Sequence, residues 1–175
     1  ITGATAQDAS GPYIAARQAA MAHDYKFATQ YFSRALVQSP LDAALITQTM
    51  SAYLALGNVS RAQVLAKALN PTPDSDSMAR ILLLTQYFQA ENYKAALMQL
   101  EETPVVGAAI DDLLKGWALM GLGRVSDALA LFDTAGRAQG MRSFALYQKA
   151  LALSLVGDYE SAEMIFSGTQ QTPAA

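Results

Sequence analysis

The chain has 175 residues, no cysteine and a formal net charge of −3; apolar residues make up 52% of it and charged residues only 15%. The lack of cysteine excludes disulfides, thiolate catalysis and thiolate metal sites, and without a basic run nucleic acid is not expected as a partner. No stretch approaches the roughly 20 uninterrupted apolar residues of a membrane-spanning helix. This fraction of charged residues is well below the roughly 25% that is typical of soluble domains, and it predicts extra apolar surface.

The first nine residues are interpreted as a disordered N-terminal segment. Its Ala4-Thr5-Ala6 triplet places small side chains where signal peptidase needs them, so the segment is interpreted as the tail of a signal peptide. On this interpretation the protein is bacterial and exported, for example to the periplasm. The alternative is an alanine-rich extension of a cytoplasmic protein.

From residue 10 onward, apolar residues spaced three and four apart predict ten helices connected in pairs. Ser10 and Ser143 are predicted N-caps, and Pro12 is placed in the first turn, where its missing N–H costs nothing. The range 71–77 is interpreted as a stretched loop between helix pairs, with a hinge between domains as the alternative. Residues 10–168 are predicted to form a single domain, followed by a flexible tail at 169–175. The turns within the pairs are predicted at His23-Asp24, Gly57-Asn58, Glu91-Asn92, Gly121-Leu122-Gly123 and Gly157-Asp158.

A pattern of about 34 residues recurs five times. An aromatic or β-branched residue follows each turn, at intervals of 34, 34, 32 and 34: Tyr25, Val59, Tyr93, Val125 and Tyr159. Three residues later there is always an alanine: Ala28, Ala62, Ala96, Ala128 and Ala162. Seven residues later comes a second packing residue: Phe32, Ala66, Leu100, Phe132 and Phe166. This period is typical of helix–turn–helix solenoids.

Over residues 9–168 the chain resembles the tetratricopeptide repeat family, in a degenerate form. The family's small-residue position in the first helix holds Ala16, Met50, Leu84, Gly116 and Ala150. Because the second and third of these are large, the helices of those two repeats are expected to be slightly splayed. The turn position holds His23, Gly57, Glu91, Gly123 and Gly157. The resemblance implies an all-α, right-handed superhelical solenoid of about five repeats.

The resemblance also implies that the first helices of the repeats line a concave face. The predicted partner-binding residues there are Tyr13, Arg17, Met21, Leu54, Met78, Ile81, Phe88, Leu113, Trp117, Met120, Tyr147 and Leu151. The wider lining set adds Thr47, Ser51, Thr85, Ile110, Phe144 and Leu155. Such an apolar surface favours an amphipathic helix or an extended apolar peptide as partner. Ordinary packing between repeats is the alternative.

Arg17 is the only cation at the positions with which family members capture a chaperone's C-terminal carboxylate. One arginine cannot supply the converging donors of a carboxylate clamp. This mode of binding is therefore not expected.

Residues that could support catalysis or metal binding have simpler interpretations. His23 occupies a turn position, and histidine tolerates left-handed φ better than most residues. The pairs Glu101-Glu102 and Asp111-Asp112 cannot converge on one proton or metal, because neighbours on a helix point about 100° apart. They are interpreted as solvated faces and as first-turn charges that favour a helix N-terminus. Asp74 and Asp76 lack the glycine and bidentate glutamate of a calcium loop. No catalytic residue, cofactor or metal is expected.

The sequence therefore predicts a non-catalytic adaptor or scaffold that binds a protein or peptide. No polar capping helix follows residue 166, and a solenoid needs such a cap to cover its last layer. The alternative is accordingly a self-associating structural module, or the N-terminal part of a longer array, in which the apolar surface is an interface between subunits or repeats.

Overall fold

The computed structural model describes residues 7–69 and 77–168, and all regular secondary structure within them is helical. The ten helices are α1 (Gln7–Met21), α2 (Tyr25–Gln38), α3 (Ala43–Ala55), α4 (Val59–Ala68), α5 (Ser77–Gln89), α6 (Tyr93–Glu102), α7 (Ala108–Gly121), α8 (Val125–Ala135), α9 (Arg142–Leu155) and α10 (Tyr159–Phe166). Consecutive helices form five pairs, called repeats 1 to 5 below. The predicted succession of helix pairs is confirmed.

The chain divides into two compact units, Ile1–Gln86 and Tyr87–Ala175, with the boundary inside α5. We call them the N-terminal and C-terminal units. The single domain predicted over residues 10–168 stays a prediction. Residues 1–6 of the predicted N-terminal segment 1–9, most of the predicted loop at 71–77 and the predicted tail at 169–175 lie outside the described residues.

Both predicted serine caps are wrong. Helix α1 already includes residues 7–9, so Ser10 lies inside it, and Pro12 is its sixth residue, where its missing N–H removes one helical hydrogen bond. Helix α9 begins at Arg142 with Met141 as its N-cap, which makes Ser143 the second helical residue.

The five turns within the repeats share one backbone geometry. The residue at the turn position has positive φ in every repeat: 59° at His23, 54° at Glu91, and 74° to 85° at the three glycines. The next backbone N–H donates to the carbonyl five residues earlier over 2.8–3.0 Å, as Asp24 does to Ala19 and Asn92 does to Tyr87. This arrangement is the Schellman motif, which satisfies carbonyls at a helix C-terminus. The predicted turns are confirmed.

The same turns start the second helix of each repeat. In four repeats an Asp or Asn side chain accepts a hydrogen bond from the backbone N–H three residues later. Asp24 accepts from the N–H of Phe27 at 3.1 Å, and Asp158 accepts from the N–H of Ser161 at 3.1 Å. Such caps satisfy N–H groups that have no partner within the helix. In repeat 4 the position holds Arg124, whose guanidinium pairs with Asp127 at 2.7 Å.

The core of each repeat lies where its two helices meet. The recurring alanines of the second helices are 0–3% exposed, and all five small-residue positions of the first helices are buried. In repeat 4 the ring of Phe132 packs against Gly116 so closely that a methyl group there would lie 2.5 Å from its Cε1. Close approach of the paired helices therefore explains the glycine at this position of repeat 4. The splay expected for repeats 2 and 3 stays a prediction.

Candidate functional site

An open apolar pocket of about 530 Å³ lies in the C-terminal unit, where the ends of α5, α7 and α9 meet the start of α6. We call it the C-terminal pocket. Its lining residues are Phe88, Tyr93, Trp117, Met120, Gly121, Leu155 and Val156. The sequence predicted four of them: Phe88, Trp117, Met120 and, in the wider set, Leu155.

The aromatic wall of this pocket is held by packing on both sides. Phe88 and Tyr93 meet edge to face with ring centroids 6.1 Å apart. The ring centroids of Trp117 and buried Phe132 lie 5.7 Å apart. The Nε1–H of Trp117 donates a hydrogen bond of 2.9 Å to Oε1 of Gln148. Trp117 thus serves both as pocket wall and as part of the core packing.

A second pocket, of about 440 Å³, lies in the N-terminal unit between α1, α2 and α3. We call it the N-terminal pocket. It is lined by Arg17, Ala20, Met21, Tyr25, Phe32, Gln48, Ser51, Ala52 and Ala55. Arg17, Met21 and Ser51 were predicted. The Cζ atom of Arg17 lies 6.0 Å from the centroid of the Tyr13 ring. Tyr13 does not line the pocket, and its hydroxyl accepts a hydrogen bond from Gln48.

The two pockets occupy equivalent places in the repeat. Each has a tyrosine two residues after the turn position, Tyr25 or Tyr93, facing the first helix of the following repeat. The residue six before the next turn position is Ser51 in one pocket and Trp117 in the other. The tyrosines were missing from the predicted site although the 34-residue register places both in one column. That shared column was the signal that could have identified them.

The other predicted residues do not line either pocket. Leu113 is only 4% exposed and belongs to the core of the C-terminal unit, so it is removed from the candidate surface. Leu54 and Leu151 are half-buried, whereas Met78, Ile81 and Tyr147 are exposed. A continuous concave face stays a prediction.

Of the acidic pairs, one differs from the prediction. Asp111 is not solvated: it is 3% exposed, and its two carboxylate oxygens accept the backbone N–H groups of Val105 at 2.9 Å and Val106 at 3.0 Å. It therefore fixes the loop before α7. Glu101-Glu102 is exposed as predicted.

His23 stands at a turn position, as predicted, with Nδ1 3.0 Å from the hydroxyl of Tyr25. Across residues 7–69 and 77–168 no three His, Cys, Asp or Glu side chains are grouped as a metal would require. Asp74 and Asp76 lie outside these ranges. Within the same ranges, no helix combines the length and the apolar character needed to cross a membrane.

The environment of Tyr53 lowers the pKa of its hydroxyl. Burial raises its pKa, but hydrogen bonds from Ser33 and Arg61 and the charge of Arg61 outweigh this and leave the pKa below its ordinary value. The hydroxyl lies 2.9 Å from Ser33 Oγ and 3.1 Å from Arg61 Nη1. This network joins α2, α3 and α4 of the N-terminal unit, and its three residues line neither pocket.

Comparison with known proteins identifies solved structures that share this fold. No family model matches the chain, and no curated protein matches it. Among solved structures, a crystal structure of MamA aligns with a TM-score of 0.70 at 13% identity, covering 97% of this chain and 98% of that one. MamA 41-end from Desulfovibrio magneticus RS-1 aligns with a TM-score of 0.68 at 19% identity, covering 98% and 100%.

A further match is YrrB, described as a TPR protein with an unusual peptide-binding site. It aligns with a TM-score of 0.68 at 15% identity, covering 95% of this chain and 91% of YrrB. Identities this low support a shared fold and nothing finer. The predicted all-α fold of tetratricopeptide type is thereby confirmed.

Proposed function

We propose that the protein is a non-catalytic interaction module that binds a partner peptide or helix, with the C-terminal pocket as the main contact. The observation that carries this proposal is the pocket itself, an open space of about 530 Å³ with three aromatic and three aliphatic side chains in its wall. Tryptophan, tyrosine and methionine are the residue types that anchor protein interfaces.

The chemistry of each pocket favours a particular kind of partner side chain. The C-terminal pocket suits a bulky apolar side chain such as Leu, Met or Phe, because burying it removes apolar surface from water on both molecules. The N-terminal pocket combines Arg17, Gln48 and Ser51 with apolar neighbours and suits a side chain with a polar tip. An amphipathic helix or an extended peptide can present such a side chain to either pocket. The peptide-binding site of YrrB, on the same fold, supports this proposal.

The test uses peptides selected from a random phage-displayed library against the intact chain, with affinity measured by fluorescence polarisation. Leu155→Ser changes an exposed pocket residue, 72% accessible, and should weaken binding about tenfold with little effect on folding. Leu41→Ser is the matched control: Leu41 is 93% exposed and lines neither pocket. Equal affinities of the two variants would contradict the proposed site.

Self-association is the second candidate function. Phe166 is 57% exposed, although the same position in repeats 1 to 4 is buried, and its ring packs against exposed Tyr147 with centroids 6.0 Å apart. A second copy that covers this face would bury both rings. Light scattering tests it: the mass should rise with protein concentration and Phe166→Ser should lower it, whereas a monomer at all concentrations would exclude the idea.

We also propose a bacterial, exported setting for the protein, on the strength of the Ala4-Thr5-Ala6 triplet. Nucleic acid is not proposed as a partner, because the seven arginines are spread along an acidic chain. Fractionation of the native host tests the compartment. Recovery of the protein only with cytoplasmic markers would contradict export.

A further inference from the structure

A separate cavity of about 370 Å³ lies between the end of α8 and the start of α9. Its lining residues are Phe132, Asp133, Gly136, Arg137, Arg142, Ala145 and Leu146. The C-terminal pocket uses the other end of α9: Leu155 lies nine residues beyond Leu146, which is about 14 Å along a helix axis. The two sites therefore do not overlap, and this cavity has no part in the function proposed above.

The arginines of this cavity differ from all the others in the chain. Arg17, Arg34 and Arg61 each lie over a tyrosine ring, Arg124 pairs with Asp127, and Arg80 also makes an interaction. Within the described part of the chain, which includes all seven arginines, only the guanidinium groups of Arg137 and Arg142 have no partner. Both line the same cavity.

The carboxylate in the cavity does not neutralise them. Asp133 is already paired with Lys149, whose Nζ lies 2.8 Å from each of its two carboxylate oxygens. This pair has no net charge, so the cavity retains the two positive charges of its arginines. Two unpaired cations in a protein with a net charge of −3 indicate a local preference for an anion.

We propose that this cavity binds a doubly charged phosphoryl group. A guanidinium presents its N–H donors in a planar fork that matches the oxygens of phosphate, and a phosphate monoester carries a charge of about −1.5 to −2 at pH 7. The charges therefore balance. Phe132, Ala145 and Leu146 form an apolar part of the wall, and a less polar surrounding strengthens the attraction between opposite charges.

Two probes test the proposal on the whole chain: inorganic phosphate and O-phosphoserine. Each is titrated while the arginine Nε–H resonances are followed by NMR. Saturable shifts are expected at Arg137 and Arg142. Arg137→Gln and Arg142→Gln should each weaken binding about tenfold or more, since each removes a charge-assisted hydrogen-bonding group. Arg142→Lys should cause a smaller loss, because lysine keeps the charge and loses the fork.

Arg124→Gln is the matched control, since Arg124 is an exposed arginine of the same unit that already has a partner. Its affinity for both probes should equal that of the wild type. Tighter binding of O-phosphoserine would assign the site to phosphomonoesters, and tighter binding of inorganic phosphate would assign it to the free anion. The proposal is overturned if neither probe shifts the two resonances, or if Arg124→Gln weakens binding as much as the other substitutions.

Discussion

The ring of Tyr93, at the start of α6, lies directly against the α-carbon of Gly121, at the end of α7. A methyl group on Gly121 would collide with Cδ2, Cε2 and Cγ of that ring. The C-terminal pocket therefore depends on a residue without a side chain at this point. Tyr93 keeps its place in the pocket wall because Gly121 leaves room for it.

Gly121→Ala should therefore destabilise the protein and displace Tyr93. Overpacking of this kind costs about 1–3 kcal/mol, and the affinity for a selected peptide should fall with it. Urea denaturation measures the first effect and fluorescence polarisation the second. Gly11→Ala is the control: Gly11 also lies in a helix, and no heavy atom of the described residues lies within 4 Å of a methyl group built there. That change should stabilise the chain by about 0.4–1 kcal/mol, and destabilisation by both changes would refute the explanation.

Glu91 carries backbone strain at its turn. Its φ is 54°, a conformation that costs a residue with a side chain roughly 1–2 kcal/mol. Part of the gain from glycine is offset by the greater freedom of the unfolded chain, so Glu91→Gly should stabilise by about 0.5–1 kcal/mol. The same change at His23 should gain less, because it loses the contact between the imidazole and Tyr25. Thermal denaturation followed by circular dichroism measures both, and a lower melting temperature for Glu91→Gly would contradict the prediction.

Trp117→Ala should abolish binding of a selected peptide, because the indole ring forms part of the wall of the C-terminal pocket. Because its ring packs against buried Phe132 and its N–H is bonded to Gln148, truncation should also cost about 2–4 kcal/mol of stability. Trp117→Phe retains the ring packing and should recover most of that loss. Chemical denaturation of both variants checks this order of stabilities. The prediction would be wrong if the alanine variant were as stable as the wild type.

Because of Tyr53, the free energy of unfolding should depend on pH in the alkaline range. Because its pKa in the folded state lies below the ordinary value of 10.0, the ionised form is favoured by folding. The added stability is fully present above pH 10 and is lost as the pH falls through the lower, folded-state value. The difference in unfolding free energy between the wild type and Tyr53→Phe should therefore grow as the pH rises to 10. A difference that is constant or shrinks over that range would contradict the role of Arg61.

Much of the fold follows from local chemistry that is visible in the sequence. The recurring alanines and the turn residues His23 and Glu91 stand in a fixed register, and that register specifies both helix packing and left-handed turns. The first helix start was missed because Pro12 resembles an N-terminal marker, although residues 7–9 extend the helix before it.

The candidate site was harder to predict because side-chain burial depends on neighbours from other repeats. Leu113 and Trp117 stand on the same helix and were both assigned to the surface, yet only the latter reaches a pocket. Asp111 was interpreted as solvated because a single sequence does not show which loop folds back to donate to its carboxylate. The shared register column marks Tyr25 and Tyr93 as equivalent positions, whereas their place in a pocket wall follows from the packing of the helices around them.

Occupation of the C-terminal pocket by a partner is tested most directly by the indole N–H resonance of Trp117. Trp117 is the only tryptophan in the chain, so this resonance needs no separate assignment, and its hydrogen bond to Gln148 makes it sensitive to the pocket. Titration with a library-selected peptide should shift the resonance with the same saturation curve that calorimetry gives. If calorimetry shows binding of the peptide while the indole resonance stays unchanged, the peptide binds outside the C-terminal pocket, which contradicts the proposed site.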